Sequence, residues 1–248
     1  MKIALIVEYE GTRYHGFQVQ AREPTIQGEL ERALMVVTGE EIRISYAGRT
    51  DQGVHAKGQV VAFRTDSSLP PETITRALNH YLPDDIAVRD AFSVDDDFDP
   101  RRDALSREYC YYIWNSSTPS PLMRRSSYFV PGPLDIAAMN EACQAMLGTH
   151  DFAPFATSLN GRKNTVRTVY RAMVDREDDL VSCHMQANSF LTHQVRRTMG
   201  SLIKVGVGKS GVTDFQEMLW SKEPAIAGPT LPAHGLCLLN VNYPGGMQ

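Results

Sequence analysis

Between Ala47 and Val60 the chain reads Ala-Gly-Arg-Thr-Asp-Gln-Gly-Val-His-Ala-Lys-Gly-Gln-Val, which gathers one carboxylate (Asp51), two cations (Arg49 and Lys57), a histidine (His55) and glycines at 48, 53 and 58. Glycine lets backbone turn sharply or approach a neighbour closely. A single acid on a glycine-punctuated loop flanked by cations suits a carboxylate acting on a phosphate-bearing substrate. The same residues also fit an ordinary surface turn, because Asp-x-Gly is common turn chemistry. The apolar run Val60, Val61, Ala62, Phe63 that follows predicts a strand leading away from the loop.

Two further regions carry chemistry-bearing types. Tyr109, Tyr111 and Tyr112 sit in an aromatic strand-like segment, Tyr109 to Trp114, and Arg196 and Arg197 sit beside an apolar helical stripe. His55, His193 and His234 have no metal-ligand spacing among them. The four cysteines, 110, 143, 183 and 237, form no C-x-x-C pair, so zinc and redox motifs are not expected, and buried reduced thiols are.

The elements that must position these residues follow from periodicity. Ile3 to Tyr9 predicts a covered strand. Thr25 caps a helix with Ile26, Leu30, Leu34 and Val37 on one face and Gly39 as its stop. Ile42 to Ala47 predicts a strand, and Thr73 to Leu82 a short helix closed by Pro83. Asp95 to Asp103 is acidic and aperiodic, a linker or exposed loop. In the second half Asp135 caps a helix bearing Ile136, Met139, Cys143 and Met146. Residues 166–174 and 180–187 pair as strands. Ser189 precedes a helix with Leu191, Val195, Met199 and Leu202 buried, and Leu236 to Tyr243 is a last alternating strand. The expected fold is α+β: two similar ferredoxin-like lobes with mixed sheets meeting at a central cleft, with domains 1–104 and 105–248.

Composition bounds the rest. The 248 residues are 42% hydrophobic and 22% charged, ordinary for a globular protein. No apolar run approaches the ~20 residues of a membrane span, and the N-terminus reads as a strand rather than a signal peptide. Net charge is −4, but it is unevenly distributed. Residues 66–99 hold nine acids against two bases, whereas residues 159–176 hold Arg162, Lys163, Arg167, Arg171 and Arg176 against Asp175 alone. Local patches rather than net charge bind phosphates; each of these arginines has the competing reading of a salt-bridged or solvated side chain.

The 47–60 run resembles the active-site motif of the A-class tRNA pseudouridine synthases. Other segments match the same family in order: Tyr9-Glu10-Gly11-Thr12-Arg13-Tyr14-His15-Gly16-Phe17-Gln18, Thr25 to Glu31, Phe98 to Ala104, Arg107-Glu108-Tyr109-Cys110-Tyr111, Asn188 to Arg196 and Ala233 to Leu238. One departure is Arg197-Thr198-Met199-Gly200, where a more apolar stretch is expected. The resemblance implies a cytoplasmic, cofactor-free and metal-free homodimeric enzyme. It would isomerise uridine to pseudouridine at positions 38 to 40 of the tRNA anticodon stem-loop. It also implies roles. Asp51 is the catalytic aspartate, acting as nucleophile at C1′ or C6 or as a base toward a sugar proton. Arg196 is its cationic partner and Tyr109 the ring that stacks on the base. Arg49 fills the space of the extruded nucleotide, and Leu236 packs on the base. His55 is expected in packing or at the RNA, and Lys57, Arg162, Lys163 and Arg167 at the RNA.

Two other classes compete. A non-catalytic RNA-binding module would use the same arginines and tyrosines but has no use for Asp51. A nucleoside hydrolase needs a second carboxylate, which Glu8 or Glu10 would have to supply.

Overall fold

The computed structural model describes residues 1–157 and 164–246. The chain begins with β1 (Lys2–Tyr9), α1 (Ile26–Thr38), β2 (Ser45–Tyr46), β3 (His55–Arg64), α2 (Pro71–Tyr81) and β4 (Ile86–Val94). It continues through β5 (Ser106–Trp114), β6 (Tyr128–Phe129), α3 (Ile136–Gln144), β7 (Gly148–Asp151), β8 (Val166–Glu177), β9 (Leu180–Ala187), α4 (Gln194–Gly206) and α5 (Val212–Trp220), and ends with β10 (Leu236–Asn242). It divides into two compact units, one of Met1–Leu105 with Leu238–Gln248 and one of Ser106–Cys237.

In the first unit the strands run β4-β1-β3-β10, with β2 also on β3. The β1–β3, β1–β4 and β2–β3 ladders are all antiparallel, which makes β1 to β4 with α1 and α2 a ferredoxin-like βαββαβ arrangement. Its core is Ile3, Leu5 and Val7 of β1, Leu30 and Leu34 of α1, and Ile74 and Leu78 of α2, all fully buried. The sequence reading of α1 holds to the residue. Thr25 Oγ1 accepts the Gly28 N–H at 3.2 Å, and Gly39, at φ 75°, closes the helix by donating to the Met35 carbonyl.

Three expectations in this unit are corrected. The strand expected over Ile42 to Ala47 shrinks to Ser45–Tyr46. The Glu31 carboxylate accepts the Ile44 N–H at 3.1 Å and pairs with Arg43 at 3.0 Å, so a side chain stands where a ladder partner would. β4 was not read from the sequence, because an edge strand carrying Arg89 and Asp90 shows no clean alternation. Residues 238–246, read with the second half, pack with the first, because β10 lies beside β3. Gly58 permits that approach: a Cβ there would stand 2.5 Å from the Leu239 carbonyl oxygen.

The second unit orders its strands β5-β9-β8-β7, antiparallel throughout, with β6 parallel to β5. Along the chain β5-α3-β8-β9-α4-β10 repeats the β-α-β-β-α-β order of the first lobe. Tyr111, Ile113, Val181, Met185, Met139 and Leu202 are fully buried. The hairpin between β8 and β9 turns tightly at Asp178, φ 52°, so β8 runs on to Glu177, three residues past its expected end, while β9 keeps the expected bounds 180–187. Leu191 precedes α4, whose N-terminal flank is His193 in the left-handed region at φ 59°. α5 was missed because only Phe215 and Leu219 mark its buried face.

The Arg197–Gly200 departure packs well for a definite reason. Arg197 Nη2 donates to the carbonyls of Ala225 and Ala227 at 2.7 and 2.6 Å, and Thr198 Oγ1 satisfies itself on Gln194 O at 2.9 Å. Gly200 lets the Pro229 carbonyl reach the helix backbone, a position in which any Cβ would collide with it. Gly200→Ala is therefore expected to destabilise the protein by about 1–3 kcal/mol through forced backbone movement. Gly48→Ala, with nothing within 4 Å of the added methyl, should stay within about 0.5 kcal/mol of wild type. Urea unfolding midpoints of the two variants test this.

The acidic 95–103 segment, expected as a linker or exposed loop, is an irregular segment held in place. Tyr243 Oη donates to Pro100 O at 2.6 Å, and its ring lies 5.3 Å from Phe98. Asp99 Oδ1 accepts the N–H groups of Arg101 and Arg102 at 2.8 and 2.9 Å. Those two backbone donors, Arg102 first, hold the Asp99 carboxyl below its ordinary range. A carboxyl depressed in the folded state stabilises above its unfolded pKa, and that contribution is lost as pH falls through the folded value. Asp99→Asn, which still accepts both bonds, should fold at neutral pH and show a shallower loss of stability below about pH 4. Thermal melts from pH 7 to pH 2 read this directly.

Candidate active site

The Asp51 loop is built by backbone. Phe17 N–H donates to Thr50 O at 3.1 Å, Gly53 N–H to Tyr14 O at 3.4 Å, and Val54 N–H to Asp51 O at 3.1 Å. Gly53 takes φ 78°, which a side chain would resist, and so closes the turn after Asp51. The segment 10–17 that supplies these partners lies against the loop. Gly11 admits the Val54 carbonyl, and Gly16, at φ 90°, admits the Thr50 carbonyl, which a Cβ would meet at 2.9 Å. The loop following β1 and the loop carrying the acid thus form one close-packed pair.

Side chains complete the arrangement. The Tyr9 hydroxyl and Thr50 Oγ1 are hydrogen-bonded at 2.8 Å, both residues buried. The Tyr9 and Phe17 rings lie tilted at 45° with centroids 6.1 Å apart, and Phe17 meets Tyr46 at 4.8 Å. Tyr46 Oη in turn accepts Arg49 Nε at 3.3 Å. From the other side, Asp85 holds the 10–14 segment: it accepts the Tyr14 hydroxyl at 2.5 Å, pairs with Arg13 at 2.8 Å, and its carbonyl accepts the Glu10 N–H. Burial, and then the bond to Asp85, push the Tyr14 phenol up to about 12. Asp51 itself is half-buried, while Arg49 and Lys57 are exposed.

His55, expected in packing or at the RNA, packs against the segment after β1. It is 8% exposed, on the first position of β3, and its Nδ1 accepts the Gly11 N–H at 3.0 Å. Accepting there places the ring proton on Nε2. Glu10 lies 3.8 Å from the same Nδ1 and caps the turn that begins at Gly11, accepting the Thr12 N–H and hydroxyl. Glu8 pairs with Arg89 at 3.1 Å. Each of the two acids that could have supplied the hydrolase reading's second carboxylate is thus engaged with neighbours in the fold.

The second unit holds the other candidates. Tyr109 lies on β5, 9% exposed, its ring edge-on to Phe190 at 5.3 Å and 89°. Tyr111, two residues on, is fully buried and donates to Pro232 O at 2.8 Å. Burial drives its phenol far above the usual tyrosine range, and the Gly235 backbone packs on its ring. The two tyrosines are therefore unlike: Tyr111 is a core strut. Arg196 stands in the first turn of α4, half-buried, with Nε donating to Leu231 O at 2.7 Å while Leu231 N–H returns to Arg196 O at 3.4 Å. One face of the guanidinium edge is fixed by this exchange. Leu236 is 6% exposed at the start of β10. His193 bonds Thr157 Oγ1 through Nδ1 at 2.7 Å.

Three arginines of the expected basic patch have partners within the fold. Arg167 Nη1 donates to Val166 O at 2.6 Å and Asn164 O at 3.3 Å. Arg171 reaches Met173 and Glu108, and Arg176 bonds Asn115. Arg162 and Lys163 lie outside the described residues. Among the described residues no group of three or more His, Cys, Asp or Glu is placed to hold a metal ion. All four cysteines are buried and unbridged. Sequence reasoning did not assign roles to Thr50, Tyr14 or Asp85. For Tyr14 the signal was present in the matched segment 9–18, but nothing in it says which side chains point at the acid loop.

Comparison with known proteins agrees with this geometry. The family described as tRNA pseudouridine synthase matches residues 5–102 and 142–244. The tRNA pseudouridine synthase A of Acetivibrio thermocellus is 42% identical over 241 residues, covering 97% of this chain and 99% of its own. That of Chloroflexus aurantiacus is 43% identical over 249 residues, covering 99% and 90%. A crystal structure of a Cbf5-Nop10-Gar1 complex aligns over 96% of this chain and 49% of that one, at 12% identity and a TM-score of 0.38, too loose a likeness to bear on the argument. With both halves of the chain matched and the relatives aligned almost end to end, the protein belongs to the tRNA pseudouridine synthase family.

Proposed function

We propose that this pseudouridine synthase acts on uridines 38 to 40 of the tRNA anticodon stem-loop, with Asp51 as its catalytic carboxylate. The observation that carries the reading is the Asp51 loop itself, half-exposed at the acid yet held on both sides by the 10–17 segment. A loop of that kind holds a carboxylate at a fixed point while leaving it reachable.

The reaction is an isomerisation. The N1–C1′ bond of uridine breaks, the base turns, and a C5–C1′ bond forms; C5 gives up a proton and N1 gains one, so atoms and electrons balance. The target nucleotide must leave its stack to be reached. Asp51 initiates glycosidic cleavage, by attack at C1′ or C6 or by taking a proton from C2′. Arg196, its guanidinium oriented by the Leu231 carbonyl, serves as the cation for the reaction. Tyr109 supplies a ring for stacking on the base, and Leu236 an apolar contact. Arg49, braced by Tyr46, fills the place of the extruded nucleotide. Lys57 and Arg167, with Arg162 and Lys163, contribute charge toward the RNA backbone. His55 holds Gly11 in place. Recognition is then by the shape of the stem-loop rather than by base sequence.

The enzyme acts as a homodimer in the cytoplasm, without metal or cofactor. Four buried, unbridged cysteines fit a reducing compartment. Among the described residues no helix is long and apolar enough to cross a membrane.

Anticodon stem-loop RNA tritiated at C5 of uridine provides the test. Wild-type protein should release tritium to water, and Asp51→Asn should release none while binding the RNA with wild-type affinity. Substantial release by Asp51→Asn removes the assignment. Release of free uracil in place of tritium makes the enzyme a hydrolase. Deuterium at C2′ then separates the two routes for Asp51: proton abstraction in a rate-limiting step slows turnover several-fold, and attack at C1′ or C6 does not.

A further inference from the structure

Thr50 is the residue immediately before the proposed catalytic carboxylate, and three features converge on it. Its side chain is buried, 6% exposed, although threonine beside an exposed arginine on a loop would ordinarily face water. Its hydroxyl is hydrogen-bonded to the Tyr9 hydroxyl at 2.8 Å, from a residue forty-one positions earlier in the chain. Its carbonyl accepts the Phe17 N–H at 3.1 Å, at the point where Gly16 removes the side chain that would otherwise block it. Residue 50 is therefore tied through both side chain and main chain to two separate points of the segment that follows β1. Tyr9 is rigid at its own end: it is the last residue of β1, paired with Ile86 of β4 and Ala56 of β3, and its ring rests on Phe17.

We propose that the Tyr9–Thr50 hydroxyl pair is a positioning device for the reaction, a latch that fixes the Asp51 carboxylate by anchoring the peptide before it to the sheet. In the latch both buried residues act through Asp51 rather than on the substrate. The latch rests on Asp51 being the catalytic carboxylate, and it adds a reason for the threonine in Arg-Thr-Asp. A hydroxyl at position 50 serves here as one half of a buried bond, not as an RNA contact. Removing either half breaks this bond and releases the same constraint on the peptide before Asp51. Displacement of a reacting group by about 1 Å is enough to cost on the order of a hundredfold in rate, whereas RNA affinity, which is set by contacts elsewhere, should not change.

The test is steady-state tritium release from anticodon stem-loop RNA by Tyr9→Phe, Thr50→Val, the double variant and Thr50→Ser. Tyr9→Phe keeps the ring and Thr50→Val keeps the side-chain shape, so circular dichroism should report folded proteins. Each single variant is expected to lower kcat about tenfold or more, with KM and RNA affinity within about twofold of wild type. The double variant should be no slower than the slower single, because both remove one bond. Thr50→Ser, which restores the hydroxyl, should recover most of the rate. Wild-type kcat in folded Tyr9→Phe and Thr50→Val overturns the latch, as do losses confined to KM or losses that multiply in the double variant. Failure of the latch is separable from failure of the reading beneath it, since full activity of Asp51→Asn would remove the latter whatever these variants do.

Discussion

The first unit depends on how closely two loops can approach. Segment 10–17 and segment 50–54 meet backbone to backbone, and glycine at 11 and at 16 is what allows it. From that contact the rest follows in order. Phe17 N–H finds Thr50 O, Gly53 N–H finds Tyr14 O, and the chain on both sides of Asp51 acquires fixed partners. Buried backbone groups left without partners are costly, so the two loops satisfy each other or neither can be buried. His55 belongs to the same logic, since its Nδ1 provides the acceptor that the Gly11 N–H needs. The acid loop is held by main-chain hydrogen bonds, to which the Tyr9–Thr50 hydroxyl pair adds a side-chain tie.

The second unit uses a different device. Its helix α4 is wrapped by the segment 225–231, bound through Arg197 to two carbonyls, through Ser201 Oγ to the Gly228 N–H at 2.9 Å, and through Arg196 to Leu231. Two adjacent arginines thus do separate things. Arg197 is committed to carbonyls and is partly desolvated, which lowers its pKa. Arg196 donates its Nε to the Leu231 carbonyl. A guanidinium has five donors in a rigid fork, and fixing one of them sets the plane of the others.

Much of this was legible in the residues, and the failures have physical causes. Helix α1 could be read to its ends because caps are local chemistry, Thr25 at one end and Gly39 at the other. The aromatic run in β5 pointed to a strand, but periodicity alone could not separate Tyr109 from Tyr111; the difference lies in Pro232 and Gly235, more than a hundred residues away. The reduction of β2 is equally non-local, produced by Glu31 reaching across from α1. The return of β10 to the first unit turns on Gly58, whose position in the acid-loop motif suggested turn chemistry instead. Among the glycines of that motif, 53 makes a turn, 58 makes a close approach, and 48 has open space, a division that sequence could not make.

The acidic balance of the chain is also explained by where its carboxylates are engaged. Glu40 accepts the Thr65 hydroxyl and the N–H groups of Asp66 and Ser67, which lower its pKa. Asp85 holds Tyr14 and Arg13, Asp99 caps two N–H groups, and Asp103 pairs with Arg102. Asp85 and Asp99 belong to the 66–99 stretch that dominates the net charge, Asp103 follows it and Glu40 binds its first residues, and all four act as acceptors that fix loops. A carboxylate met by N–H dipoles or a guanidinium projects a weaker field than a bare one, and at physiological ionic strength what remains is screened within about 8 Å. A phosphate backbone approaching Arg49 and Lys57 therefore meets the local cations rather than the net charge of −4, so an acidic protein and a polyanionic substrate are compatible.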